Sequence, residues 1–294
     1  MRRYCRISLL ILFLVAFLAP CSVNGGDKTD LHKDGLRIID AHTHCVFDHK
    51  PERSSHIMKS KEEYLKEMEA SNVVGAIAHT GYLGDYHGDL KGRNVVFCYG
   101  IGEKVNEKEI EHALKSKKYG CVKIYLGYIH RYAYDKAYEG IYKLAEKYDV
   151  SVVFHTGDTY ATKAKLKYAD PMTIDEVAVD HPGVRFVIAH SGNPWINTAA
   201  EVAYKNPNVY LDVSGMVVGD ISKYSKEILD VYLVNPISWI FNYIENPSKM
   251  LYGSDWPLVN MGLYINAVKR AIPEEHWHAV FYENAVNVFK LNIK

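Results

Sequence analysis

Two histidines, one residue apart, follow the first apolar run of the chain. His42 and His44 belong to the segment DAHTH at residues 40–44, directly after an apolar run that is typical of a buried strand. Alternate side chains of a strand point to the same face, so both imidazoles face one side. Such a pair is half of a metal site, although an isolated His-x-His is as often two unrelated histidines.

Four more polar residues lie in or directly after other apolar runs. Lys123 lies within the fourth run, His155 and His190 end the fifth and sixth, and Asp255 follows the eighth. Burying such groups is costly unless they are paired or bound to a metal, so packing alone is a poor explanation for all of them. A set of imidazole ligands with one carboxylate is typical of a zinc site, and manganese, iron or cobalt are alternatives. A metal bound there would activate a water molecule, and Asp255 could accept the proton of that water and deliver it to the leaving group.

Strand-like and helix-like segments alternate along the chain. Eight apolar strand candidates occupy residues 36–41, 73–79, 94–101, 121–126, 150–155, 184–190, 209–213 and 250–253. Helical candidates occupy residues 61–70, 107–118, 135–148, 173–179, 195–205 and 223–244, the last broken near Pro236, and closing helices span 264–290. This alternation predicts an α/β fold, a (β/α)8 TIM barrel whose carboxyl-terminal mouth collects the polar residues.

The pattern resembles the amidohydrolase superfamily, and more narrowly the Amidohydrolase 2 branch with the relatives of aminocarboxymuconate-semialdehyde decarboxylase. The likeness runs from Asp40 to about Phe289, and its most specific pieces are DAHTH at 40–44 and GSDWP at 253–257. The resemblance implies that a divalent metal is held by four ligands, namely His42, His44, His155 and Asp255.

The resemblance leaves the number of metal ions open. It implies that His190 either binds a second metal or polarises the substrate, which makes His190 and Asp255 the candidate catalytic residues. Lys123 stands where a carboxylated lysine can bridge two metals, but the decarboxylase-like members of the branch work with one metal and do not need this lysine. One or two ions therefore remain open.

Other residues carry weaker predictions. Arg131 could hold a substrate carboxylate or be solvated, Asp158 could bind substrate or cap its loop, and Trp256 is a third candidate for substrate contact. Asp212 could anchor a ligand imidazole. His79 ends the second apolar run and could reach the mouth, but it is expected to be a satisfied core residue. Solvent-facing loops are expected for the other histidines, any of which could line the substrate entrance: His49, His56, His87 and His130.

The amino-terminal sequence is typical of a targeting segment. Arg2, Arg3 and Arg6 precede a thirteen-residue apolar run at 7–19 that is too short to span a bilayer comfortably. The predicted organisation is a signal peptide at 1–25, a linker at 26–34 and the barrel domain at 35–294. We therefore expect the protein to be exported to the periplasm or the medium. The alternatives are a lipoprotein anchored at Cys21 and an uncleaved membrane anchor.

The composition of the chain indicates which classes of molecule the protein is expected to bind. The chain has 294 residues, and its 35 basic residues balance 35 acidic ones, so no nucleic-acid partner is expected. A small-molecule substrate and no stable membrane span in the mature chain are expected, and a homo-oligomer is compatible with the sequence. Cys98 and Cys121 lie in strand-like apolar runs, which predicts buried thiols rather than a disulfide framework.

These observations favour an exported metal-dependent hydrolase that uses metal-activated water on a small ester, lactone or amide. The first alternative is a metal-dependent non-oxidative decarboxylase, because the same branch and the same ligands support that reaction. The second is a non-catalytic metal- or ligand-binding envelope protein.

Overall fold

A computed structural model describes residues 35–81, 90 and 92–293 of the chain. The predicted signal peptide, the predicted linker and His87 lie outside the described residues.

Eight parallel strands form one sheet in which each strand pairs with the next in chain order. This nearly closed barrel with alternating helices confirms the predicted α/β, (β/α)8 TIM-barrel architecture. The strands are β1 (Ile38–Thr43), β2 (Val73–His79), β3 (Val95–Ile101), β4 (Tyr119–Tyr125), β5 (Ser151–His155), β6 (Phe186–Ile188), β7 (Val209–Asp212) and β8 (Met250–Leu251).

Strand β6 is shorter than the sequence predicts at both ends. At its carboxyl end, the backbone of His190 and Ser191 has φ values of 60° and 46°, which no strand can accommodate. The chain therefore leaves the sheet before His190, and the imidazole is presented by a tight turn. Left-handed backbone at a residue other than glycine costs about 1–3 kcal/mol and often marks a functional site.

Individual contacts join the last strand to the first. The backbone N–H of Asp255 donates to the carbonyl of His42 at 2.8 Å. The buried Asp40 carboxylate accepts from Ser254 twice, from the backbone N–H at 2.9 Å and from the hydroxyl at 2.5 Å. Burial raises the pKa of Asp40 to about 7, against the lowering effect of these hydrogen bonds. Asp40 thus holds the two segments that carry His42 and Asp255 side by side.

Helices surround the barrel. They are α1 (Lys61–Ala70), α2 (Glu107–Lys115), α3 (Glu139–Lys147), α4 (Thr173–Asp180), α5 (Ile196–Lys205), α6 (Lys226–Leu229), α7 (Asn235–Tyr243), α8 (Met261–Lys269) and α9 (Asn284–Phe289). A π-helical turn (Asp230–Val234) joins α6 to α7. Pro236 lies in the first turn of α7, where the missing backbone N–H of a proline lowers helix stability little. Among the described residues, no helix is long and apolar enough to cross a membrane.

Cys98 and Cys121 form a disulfide, so the prediction of two free thiols is wrong. The residues are register partners on the adjacent strands β3 and β4, and their Cα atoms lie 4.3 Å apart. Both side chains belong to the buried layer inside the barrel. A separation of 23 residues gives no hint of pairing in the sequence, because the sheet register alone brings the sulfurs together. Within the part of the chain that the structure describes, Cys45 is buried and forms no disulfide.

Candidate metal centre

Three of the predicted ligands converge at the carboxyl-terminal mouth of the barrel. His42, His44 and Asp255 each offer one ligand atom, and these atoms all lie within 4.8 Å of one another. His44 Nε2 is 3.2 Å and His42 Nε2 is 3.7 Å from Asp255 Oδ1. This triad is the candidate metal centre. His42 lies near the end of β1, His44 directly follows that strand and Asp255 follows β8, so the contacts that join these two strands also assemble the site.

Asp212, at the end of β7, orients His42. The His42 Nδ1–H donates to Asp212 Oδ2 at 2.5 Å, and the Asp212 carboxylate also accepts from the backbone N–H of Ser214 at 2.7 Å. This bond leaves Nε2 of His42 as the ligand nitrogen, the arrangement common in metal proteins. His44 is oriented in a similar way, because its Nδ1–H donates to the carbonyl of His79 at 3.2 Å.

The donor set fits a divalent cation. Within the described part of the chain, His42 Nε2 and Asp255 Oδ1 are buried and have no hydrogen-bond partner. Such atoms are costly in an interior unless a ligand engages them. Two imidazole nitrogens and a carboxylate oxygen that face one point provide three protein ligands, as catalytic zinc sites do.

Asp255 is ionised and its backbone is constrained. Burial alone would raise the pKa of Asp255, but the contact with His44 and the electrostatic interactions with His190, His44 and Lys123 lower it to about 2. Its φ is 63°, a left-handed value that aspartate tolerates better than most residues. The carboxylate is therefore available as an anionic ligand at neutral pH.

The buried imidazoles of the mouth are neutral. Burial, followed by neighbouring charges, lowers the pKa of His42 and His155 well below the usual value. The pKa of His190 falls to about 4, chiefly by burial, although Asp255 opposes the shift. A neutral imidazole is the form that binds metals.

His155 and His190 form a pair next to the triad. His190 Nε2–H donates to His155 Nδ1 at 3.2 Å, and the second nitrogen of His155, Nε2, donates to the carbonyl of Asp158 at 2.9 Å. His190 Nδ1 lies 3.8 Å from Asp255 Oδ2. Both nitrogens of His155 are thus engaged in hydrogen bonds, and its assignment as a metal ligand stays a prediction.

Two further residues lie in the barrel interior beside the centre. Lys123 is 1% exposed, and its ammonium lies 5.6 Å from the centre of the Tyr125 ring. His79 ends β2 at 2% exposure, with its ring centre 4.1 Å from that of His42. Within the described residues, neither ring nitrogen of His79 has a hydrogen-bond partner, so the expectation of a satisfied core histidine is wrong. The alternative drawn from its position at the end of the second strand, that His79 reaches the mouth, agrees with its contact with His42.

Each of the weaker candidates forms a hydrogen bond with a residue outside the triad. Arg131 donates to the carbonyl of Glu103 at 2.7 Å, which ties its loop to the loop after β3. The side chain of Asp158 is exposed, and only its backbone reaches His155. The Trp256 indole is fully buried and its Nε1–H donates to Glu67 at 3.3 Å, so the ring packs behind the site. As predicted, His49, His56 and His130 are exposed in loops.

Solved structures with low sequence identity share this fold. A probable 2-pyrone-4,6-dicarboxylic acid hydrolase from Acinetobacter baumannii, with citric acid bound, is 15% identical, with 87% of this chain and 100% of that chain covered and a TM-score of 0.60. A 5-carboxyvanillate decarboxylase from Sphingomonas paucimobilis is 13% identical, with 87% and 100% covered and a TM-score of 0.61. A zinc-bound amidohydrolase from Burkholderia multivorans is 14% identical, with 87% and 99% covered and a TM-score of 0.61.

Sequence comparison adds the family. No curated protein matches the chain. The Amidohydrolase family model, Amidohydro_2, matches residues 86–291, which is well over half of the chain and includes His155, His190 and Asp255. The segment with His42 and His44 precedes the matched range, and the structure brings it to the same mouth as Asp255. The chain belongs to the amidohydrolase family.

Proposed function

We propose that this protein is a metal-dependent hydrolase that acts on a small ester, lactone or amide. The observation that carries the proposal is the convergence of His42, His44 and Asp255 on one point, with buried ligand atoms that lack hydrogen-bond partners in the described part of the chain. Zinc suits this donor set first, and manganese, iron or cobalt are alternatives.

Each residue near the centre has a task in such a reaction. A bound divalent metal would lower the pKa of water toward ~7 and polarise a carbonyl oxygen. Asp255, ionised at neutral pH, accepts the proton of the attacking water and passes it to the leaving group. His190 is neutral and close to Asp255, and its single N–H, which donates to His155 here, would stabilise a developing oxyanion if it turned to the substrate, without adding a charge to the resting site. Asp212 keeps His42 in the tautomer that binds metal.

The second candidate is non-oxidative decarboxylation. Its support is that the structures sharing this fold include a 5-carboxyvanillate decarboxylase as well as a probable pyrone hydrolase. Decarboxylation breaks a carbon–carbon bond, releases carbon dioxide and puts a proton in its place, whereas hydrolysis consumes one water.

Product analysis in ¹⁸O-labelled water separates the two reactions. The metal-loaded protein is incubated with a panel of esters, lactones and amides, with 2-pyrone-4,6-dicarboxylate among the lactones, and separately with 5-carboxyvanillate. We expect a ring-opened or cleaved product that carries one ¹⁸O atom, detected by mass spectrometry. Carbon dioxide release from an aromatic acid, with no labelled product from the rest of the panel, would replace hydrolysis by decarboxylation.

We also propose that the protein acts outside the cytoplasm. The basic and apolar order of the first 25 residues supports export. The Cys98–Cys121 disulfide supports it independently, because disulfides persist mainly in oxidising compartments.

Intact-mass analysis of native protein from the envelope and culture fractions tests export. The expected chain lacks about the first 25 residues and is two hydrogens lighter than the fully reduced form. Reduction and alkylation should then label Cys98 and Cys121 together. A lipid on Cys21 would select the anchored form, whereas a cytosolic chain that begins at Met1 with reduced cysteines would contradict export.

A further inference from the structure

Several buried nitrogens in the barrel interior are left over once the metal centre is assigned. A metal accounts for His42 Nε2 and Asp255 Oδ1, but Lys123 Nζ and both ring nitrogens of His79 still have no hydrogen-bond partner among the described residues. Lys123 and His79 are almost fully buried. Lys123 interacts electrostatically with Asp212 and Asp255. Its ammonium also lies over the Tyr125 ring, but none of these contacts is a hydrogen bond that uses its N–H donors. Interior donors without acceptors are costly, and a bound ligand would supply the acceptors.

The register of the sheet places these two residues two strands apart toward the carboxyl end of the barrel. His79 on β2 pairs with Cys98 on β3, and Lys123 on β4 pairs with Gly100, two residues further along β3. The charge of Lys123 lowers the pKa of His79, which is already low because of burial, so the two groups interact electrostatically.

The unpartnered donors call for oxygen acceptors. The Lys123 ammonium offers three N–H donors, and a neutral His79 offers one. A carboxylate carries a negative charge and only acceptor atoms, so one bound carboxylate would satisfy donors of both residues together.

We infer that Lys123 and His79 form a carboxylate-binding subsite beside the metal centre, so that the substrate of this enzyme is a small carboxylic acid. The inference deepens the proposed hydrolysis and rests on it for the identity of the substrate. The Lys123 ammonium donates to the carboxylate, and the neutral His79 adds one N–H donor. The bond that reacts lies in the same molecule, next to His42, His44 and Asp255.

Lys249 offers a matched control, because it is also a buried lysine. Its ammonium is fully used within the fold, donating to the carbonyls of Ala203 at 2.8 Å, Asn206 at 2.5 Å and Val209 at 3.2 Å. Replacing Lys249 by methionine removes a structural group, whereas Lys123→Met removes a group held for a ligand. The two substitutions should therefore shift stability in opposite directions.

Acetate binding tests the subsite without any turnover. The line width of ¹³C-labelled acetate is followed as the zinc-loaded protein, and separately the metal-free protein, is added. We expect weak binding, on the order of millimolar, that falls at least about tenfold in Lys123→Met and several-fold in His79→Leu, with the same Lys123 effect in both metal states. Acetamide should bind no better to the wild type than to the variants. Lys123→Met should melt at a higher temperature than the wild type, and Lys249→Met at a lower one.

The results separate the subsite from the proposed reaction. Unchanged acetate affinity in a folded Lys123→Met protein would overturn the subsite, even if the wild type hydrolyses esters. Lys123-dependent acetate binding in a protein that hydrolyses nothing would keep the subsite and reject the reaction. A native mass that shows carbon dioxide bound to Lys123, with two metals per chain, would also overturn the subsite, because the lysine would then be a metal ligand.

Discussion

Removal of the metal is expected to reduce turnover at least about a thousandfold, because the metal supplies several kcal/mol of transition-state stabilisation at such sites. The protein is dialysed against a chelator, its metal content is checked by elemental analysis, and activity is measured before and after adding one equivalent of zinc, manganese, iron or cobalt. Zinc should restore activity, and the restored protein should melt at a higher temperature because the ion binds only the folded state. Full activity after verified metal removal would reject the metal centre.

Asp212→Asn sharpens this prediction, because it changes a residue that touches His42 and lies outside the triad. The amide cannot serve as the anionic acceptor that holds the Nδ1–H of His42 at 2.5 Å, so the ligand tautomer is less well fixed. We expect metal affinity to fall about 10- to 100-fold, measured by competition with a chromogenic chelator. Excess zinc should then recover much of the lost activity, whereas a purely structural role for Asp212 would leave the affinity of the folded protein unchanged.

Asp255→Asn is expected to lower kcat/KM about a thousandfold, or roughly 4 kcal/mol in transition-state stabilisation. The substitution keeps the shape of the side chain but removes an anionic ligand and the group assigned to proton transfer. Asparagine tolerates the left-handed backbone found at this position, where φ is 63°, and the backbone N–H can still donate to His42. The fold should therefore survive, which circular dichroism and melting temperature would show.

The measurement on Asp255→Asn must distinguish lost metal from lost chemistry. Activity is assayed with excess metal, and bound metal per chain is determined on the same sample. Asp180→Asn, at the exposed end of α4, is the control and should keep full activity. Near-wild-type turnover by metal-loaded Asp255→Asn would reject the assigned role of this carboxylate.

The sequence by itself determined the architecture and much of the site. Strand-length apolar runs alternate with helical segments because each βα unit buries its strand on both faces, and that pattern needs no knowledge of distant contacts. The polar residues that end those runs had to meet at one mouth, since all strands of such a barrel point the same way. His42, His44 and Asp255 could therefore be grouped from their positions along the chain, together with the family resemblance.

The tertiary structure decided the features that depend on lateral register between strands. The pairing of Cys98 with Cys121 follows from the register of β3 against β4, which hydrophobic periodicity does not specify. The proximity of His79 to His42 likewise depends on the side-by-side arrangement of β1 and β2. The sequence indicates that His79 is buried. Whether its ring nitrogens have hydrogen-bond partners depends on neighbours that only the packed fold brings together. Among the described residues the expected partners are absent.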